Sequence, residues 1–157
     1  MTRNITPLLE DIANYLEQLF HALENEYTAL SNNDLQAIES IAQEKTILME
    51  QLEDLNKERH TLLEAAGLNL SENGIDDFLN SSTLADNPVL KTLWGNISSL
   101  SKQCEKQNNI NGIIIENNKR HTENALSILQ GKQQTTELYS SKGQSIKMAK
   151  NQTLIRA

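Results

Sequence analysis

The apolar positions Leu8, Ile12, Leu16, Leu19, Leu23, Tyr27 and Leu30 recur in steps of three and four residues. That spacing lays them along one face of an α-helix. Thr6 suits the N-cap and Pro7 the first helical position, where a missing N–H costs no hydrogen bond. Ser31-Asn32-Asn33-Asp34 ends the run, because these side chains bond their own backbone outside helices. The pattern predicts a helix over about 6–31. A second run, 34–66, reads Ile38, Ile41, Lys45, Leu48, Leu52, Leu55, Arg59, Leu62 and Ala66 on its inward side. This is an a/d heptad seam with two cationic interruptions. Gly67 fits the position just past a helix C-terminus. Some 33 residues at about 1.5 Å each make a rod of roughly 50 Å, which needs a coiled-coil-like partner, either in the same chain or in a second copy.

Residues 67–87 read as a linker: Gly67, Gly74 and many Asn, Ser and Asp residues favour turns. Within it, Ile75-Asp76-Asp77-Phe78-Leu79 has the makings of one short helical turn covering the bundle end. Asp86-Asn87-Pro88 then opens a third helix, expected over 88–130. Leu90, Leu93, Ile97, Leu100 and Cys104 share one face of it. Its middle is a polar island, Gln107-Asn108-Asn109-Ile110-Asn111-Gly112, before Ile113-Ile114-Ile115 restores apolar character. Gly131 ends the helix. Residues 132–157 hold too few apolar residues to bury much surface in the free chain. Leu138, Tyr139, Ile146, Met148, Leu154 and Ile155 would form one face of a helix induced by a partner. The fold expected is all-α: an elongated antiparallel bundle or coiled coil of three main helices over 1–131, with a mobile, basic, partner-folded tail over 132–157.

Composition sharpens this picture. Six glycines and two prolines in 157 residues argue against a many-turned β-fold. Residues 1–66 carry 13 acidic and 4 basic side chains, whereas residues 131–157 carry 1 and 5. The front and the tail are therefore different kinds of chain. A net charge of −7 and 4% aromatics argue against a nucleic-acid partner. No apolar run reaches the 18 residues of a membrane span, and Met1–Pro7 lacks a signal-peptide core. With a single cysteine, Cys104, no internal disulfide forms. A cytoplasmic location is the expectation.

Candidate chemistry is sparse. His60 is followed by Leu63 and Glu64 where a phosphotransfer module places a cation and a small residue, and a carboxylate there repels a phosphoryl group. No Glu-x-x-His pair exists for a helical di-metal site, and no phosphate loop or nucleophile elbow occurs. We expect no enzyme activity, no cofactor and no metal. Lys45 and Arg59 have two readings: snorkelling or pairing with an acid across the seam, or a device that fixes register. The pairing reading is the simpler. The Asn/Gly island also has two. It lies in water beyond the bundle end, or Gly112 admits another helix while Asn108 and Asn111 bond across the gap.

These residues resemble the FlgN-type flagellar export chaperones. The resemblance covers nearly the whole chain. Its most specific element is Asn108-Asn109-Ile110-Asn111-Gly112 followed by Ile114-Ile115. Ala125-Leu126-Ser127-Ile128-Leu129-Gln130-Gly131 is a second element, and Glu137-Leu138-Tyr139 with Gly143 a third. Asp34-Leu35, Lys45, Arg59, Leu62-Leu63 and Gly67 match the family's long second helix. The chain departs from the pattern after Tyr139, where Ser140-Ser141 stands, and Lys147 is the first base past Gly143. The resemblance implies a cytoplasmic, non-enzymatic chaperone. Its partners would be the C-terminal helices of hook-associated (hook–filament junction) proteins and soluble components of the flagellar type III export apparatus. Partner binding would fall to Leu138, Tyr139, Gly143, Ile146 and Met148 in the tail, with Asn108, Asn111 and Gly112 on the third helix. A purely structural coiled-coil oligomerisation module, a homodimer among its forms, is the alternative.

Overall fold

The computed structural model describes residues 5–65, 67, 88–131, 137–139 and 145–147. Three helices dominate: α1 (Ile5–Asn32), α2 (Leu35–Ala65) and α3 (Pro88–Leu129). Two short strands follow, β1 (Glu137–Tyr139) and β2 (Ser145–Lys147). The chain divides into two compact units, Met1–Ile115 and Glu116–Ala157. The fold is all-α in its body, as the periodicity predicts, and each helix end lies within a residue or two of its expected place. The expected turn at 75–79 and the cap at 86–87 lie outside the described residues, as do Gly143, Met148, Leu154 and Ile155.

The helix junctions follow from the residues at them. Asn33 adopts a left-handed φ of 54°, which asparagine tolerates better than most residues. The Asp34 N–H then donates to Ala29 O at 2.9 Å, and Asp34 Oδ1 accepts from the Ala37 N–H at 3.1 Å. One residue closes α1 and the next caps α2. Gly67 (φ 73°) and Gly131 (φ 66°) take the left-handed conformation just past α2 and α3. Their N–H groups donate to Glu64 O at 2.9 Å and Ile128 O at 3.1 Å. Pro7 falls in the first turn of α1, which begins at Ile5 rather than at the expected Thr6 cap.

Within the first unit α1 is the central helix. Ten of its residues are buried, against four in each of α2 and α3. Leu9, Leu16, Leu23 and Leu30 step by seven, and so do Ile12, Leu19 and Glu26. Two adjacent seams give α1 a face wide enough for both neighbours. Leu48 and Leu52 of α2, and Leu90, Ile97 and Cys104 of α3, fill the same core. The contacts fix direction. Glu26 meets Lys45, so α1 and α2 are antiparallel. Cys104 Sγ donates to Leu16 O, and Asn111 Nδ2 to Leu23 O. Both pairs are 88 residues apart, so α1 and α3 run parallel in constant register. Whether the second helix pairs within the chain or with a copy was open from the pattern; α2 packs on α1 of its own chain. Burial pushes the Cys104 thiol above its ordinary pKa, as suits an inert core residue.

One expectation is corrected in α1. Tyr27 is 45% exposed, while Glu26 beside it is 5% exposed and occupies the seam. The tail shows a further feature at its described residues. Without a partner, Glu137–Tyr139 and Ser145–Lys147 form an antiparallel strand pair, with Leu138 opposite Ile146 and Tyr139 opposite Ser145; the helical face expected through Leu138, Tyr139 and Ile146 is one that a partner induces.

Candidate functional site

The Asn/Gly island contributes to a buried polar layer spanning all three helices. Glu26 of α1 accepts from Lys45 Nζ of α2 at 3.0 Å (Oε1) and 2.9 Å (Oε2). Its Oε2 also accepts from Asn111 Nδ2 of α3 at 2.8 Å. The same Nδ2 donates to Leu23 O at 2.8 Å, and Asn111 Oδ1 accepts from Gln107 Nε2 at 3.0 Å. The carboxylate thus receives charge-assisted bonds from two neighbouring helices. Each buried polar group finds a partner, which is what makes a charge tolerable in an apolar seam. The pairing reading of Lys45 is the observed one. The layer also pins register, as a lone polar layer does in coiled coils.

The island itself splits by residue. Asn111 is 1% exposed and its amide is spent inside the chain, so it offers no free amide to a partner in this arrangement. Asn108 and Gly112 are exposed on α3. A Cβ added at Gly112 would meet nothing within 4 Å, so none of the described helices approaches there, and α3 runs through it unbroken. Gly112→Ala should therefore stabilise the protein by about 0.5–1 kcal/mol through helix propensity alone. A rise in the urea midpoint at unchanged slope is the expected reading.

A groove of about 1110 Å³ opens between α2 and α3, floored by α1. Leu16, Leu19, Leu52 and Ile97 form its apolar base; Met49 and Trp94 stand on its walls. Near one end, Arg59 Cζ lies 5.6 Å from the Trp94 ring centroid, linking α2 to α3 by a cation–π contact. Arg59 Nε is buried and has no hydrogen-bond partner among the described residues. Burial pulls the guanidinium pKa down. Lys45 lies towards the other end. The second seam cation therefore differs from the first: Lys45 has its acid and Arg59 stacks on an indole.

In the second unit, Leu126, Ile128 and Leu129 of α3 are exposed. Leu138 and Tyr139 lie in β1, and Ile146 opposite Leu138 in β2. Sequence reasoning missed Glu26 and Trp94. A signal for Glu26 exists in the seven-residue step from Ile12 through Leu19, although Tyr27 is the more apolar of the two neighbours. Nothing in the pattern marks Trp94, which sits one position outside the seam.

Two comparisons place this architecture. The family model described as FlgN protein matches residues 1–146. A crystal structure from Pseudomonas aeruginosa, assigned as a flagella synthesis protein FlgN, is similar with a TM-score of 0.61 and 26% identity, over 82% of this chain and 99% of that one. No curated protein matches. With a family model spanning nearly its whole length and a like fold in a solved structure, the chain belongs to the FlgN family.

Proposed function

We propose that this protein is a non-enzymatic export chaperone of flagellum synthesis. It holds the C-terminal helical region of hook-associated junction proteins, prevents their premature association and supports delivery to soluble components of the export apparatus. Membership of the FlgN family over residues 1–146 carries this reading. The exposed Leu126, Ile128 and Leu129 support it, because apolar side chains left in water suit a surface that awaits a partner.

In this reading the client-gripping residues are Leu138, Tyr139, Gly143, Ile146 and Met148, with Asn108 and Gly112 on the exposed side of α3. The pairing of Glu137–Tyr139 with Ser145–Lys147 involves only three residues in each strand. So short a pair is marginal on its own, and a client helix can displace or cover it at small cost.

Calorimetric titration with the C-terminal segment of a junction protein from the same cell tests the proposal. The full chain is compared with a version ending at Gly131. Binding that disappears on truncation, with the helicity of the body kept, supports a tail-borne site. Tyr139→Ala should weaken binding by about 1–2 kcal/mol, as expected for an aromatic anchor. No binding by either version would favour the oligomerisation module instead, and light scattering would then reveal stable self-association.

A further inference from the structure

We propose that α3 is a detachable arm. Its part in the first unit, residues 88–115, lifts off the α1–α2 hairpin as one piece while the hairpin stays folded, and so covers or bares the apolar face of α1. This movement belongs to the fold and does not depend on the chaperone reading.

The two helices that pack on α1 are held differently. Close backbone approach joins α1 to α2, whereas α3 meets α1 chiefly through side chains. The buried residues of α2 are Ile41, Leu48, Leu52 and Leu63, all large and apolar. Those of α3 are Leu90, Ile97, Cys104 and Asn111, one in every seven. The row beside them, Leu93, Leu100, Gln107 and Ile114, is only half-buried. The seam of α3 is therefore one residue wide. Its second half offers a thiol and an amide in place of aliphatic side chains, so apolar burial holds that half weakly.

The polar contacts of α3 are also cheap to release. Cys104 Sγ reaches Leu16 O at 3.5 Å, and a thiol is a weak donor. Towards α2 stands the Arg59–Trp94 stack at 5.6 Å, a contact of modest strength, with the open groove beside it. On leaving, Asn111 Nδ2 gives up its bonds to Leu23 O and Glu26. Water then satisfies the freed amide, and Glu26 keeps both bonds from Lys45. Elements held by few buried apolar contacts open at a lower free energy than the whole molecule. The constant register places Leu9, Leu16 and Leu23 of α1 level with Ile97, Cys104 and Asn111. These three leucines are the face that opening bares.

Cys104 is the single cysteine of the chain and lies in the α3 seam, so its labelling reports undocking. Burial, which also raises its pKa, keeps the thiol silent while α3 is docked. A disulfide reagent in excess is added to the full chain at rising urea, and labelling is compared with unfolding by circular dichroism. The expected result is labelling about ten-fold or more faster than global unfolding allows, with a shallower dependence on urea, because opening bares less surface. Two variants separate the arm from the hairpin. Asn111→Asp keeps the shape but sets a carboxylate against Glu26, and should speed labelling about ten-fold or more. Ile41 of α2 lies level with Leu30 of α1, past the last buried residue of α3. Ile41→Ala should therefore lower the urea midpoint and leave labelling in water within about two-fold. If Asn111→Asp does not fold, the urea dependence of the unaltered chain and Ile41→Ala decide. Labelling that matches global unfolding at every urea concentration would overturn the arm. So would labelling that ignores urea, because the thiol is then reached without undocking, and so would two variants that speed labelling alike.

Discussion

Lys45→Met should lower the stability of the helical bundle by about 3 kcal/mol. The substitution keeps the length of the side chain and removes its charge, so packing changes little. It strands the Glu26 carboxylate, whose side chain is 6% exposed, in an apolar seam. Breaking one partner of a buried pair costs about 3–5 kcal/mol, chiefly as the penalty on the charge left behind. The low end applies because the Lys45 side chain is 22% exposed, so water already screens part of the pair. The same asymmetry makes Glu26→Leu milder, by about 1–2 kcal/mol, because Lys45 can turn its ammonium outward and Asn111 keeps its bond to Leu23 O. The double substitution Glu26→Leu/Lys45→Met should be more stable than Lys45→Met alone. Urea unfolding followed by circular dichroism measures all three. Equal losses in the two single variants would contradict the burial asymmetry.

Leu23→Ala should cost about 3 kcal/mol. Leu23 is among the most completely buried side chains, on the helix that carries both neighbours. Removing its branched end opens a cavity that neither α2 nor α3 can fill without shifting on α1. Losses of about 2–5 kcal/mol are typical of such truncations. The carbonyl that receives Asn111 belongs to the backbone and survives, so the polar layer does not confound the measurement. Leu129→Ala is the control. It removes the same atoms from a side chain that is 83% exposed, and should stay within about 0.5 kcal/mol. If the two variants lost stability alike, the central role of α1 would be wrong.

Periodicity made the three helices and their ends legible, because leucines at three- and four-residue steps and glycines past the ends are local signals. Lys45 was legible as a seam interruption, and its pairing was the simpler of two readings. Glu26, its partner, was not. Hydropathy ranks tyrosine above glutamate as a core residue, and only the presence of Lys45 and Asn111 on other helices reverses that order. The groove was out of reach for a related reason. A pattern along one helix says which face is apolar, not whether two helices meet over a third or stand apart. In the tail, Leu138 and Ile146 are eight residues apart, a spacing that suits a helical face and a tight reversal equally. The described residues pair as strands in the free chain.

The constant offset of 88 residues between α1 and α3 also orders the assembly of the bundle. α1 and α2 are joined through Asn33 and Asp34, so their contacts are local and close quickly. α3 must find α1 across the whole of α2 and the segment after it, and loop-closure entropy delays that step. The last helix to dock is the one that supplies Asn111. Until it arrives, Glu26 and Lys45 already hold each other, so the buried carboxylate is paired in the early hairpin while it waits.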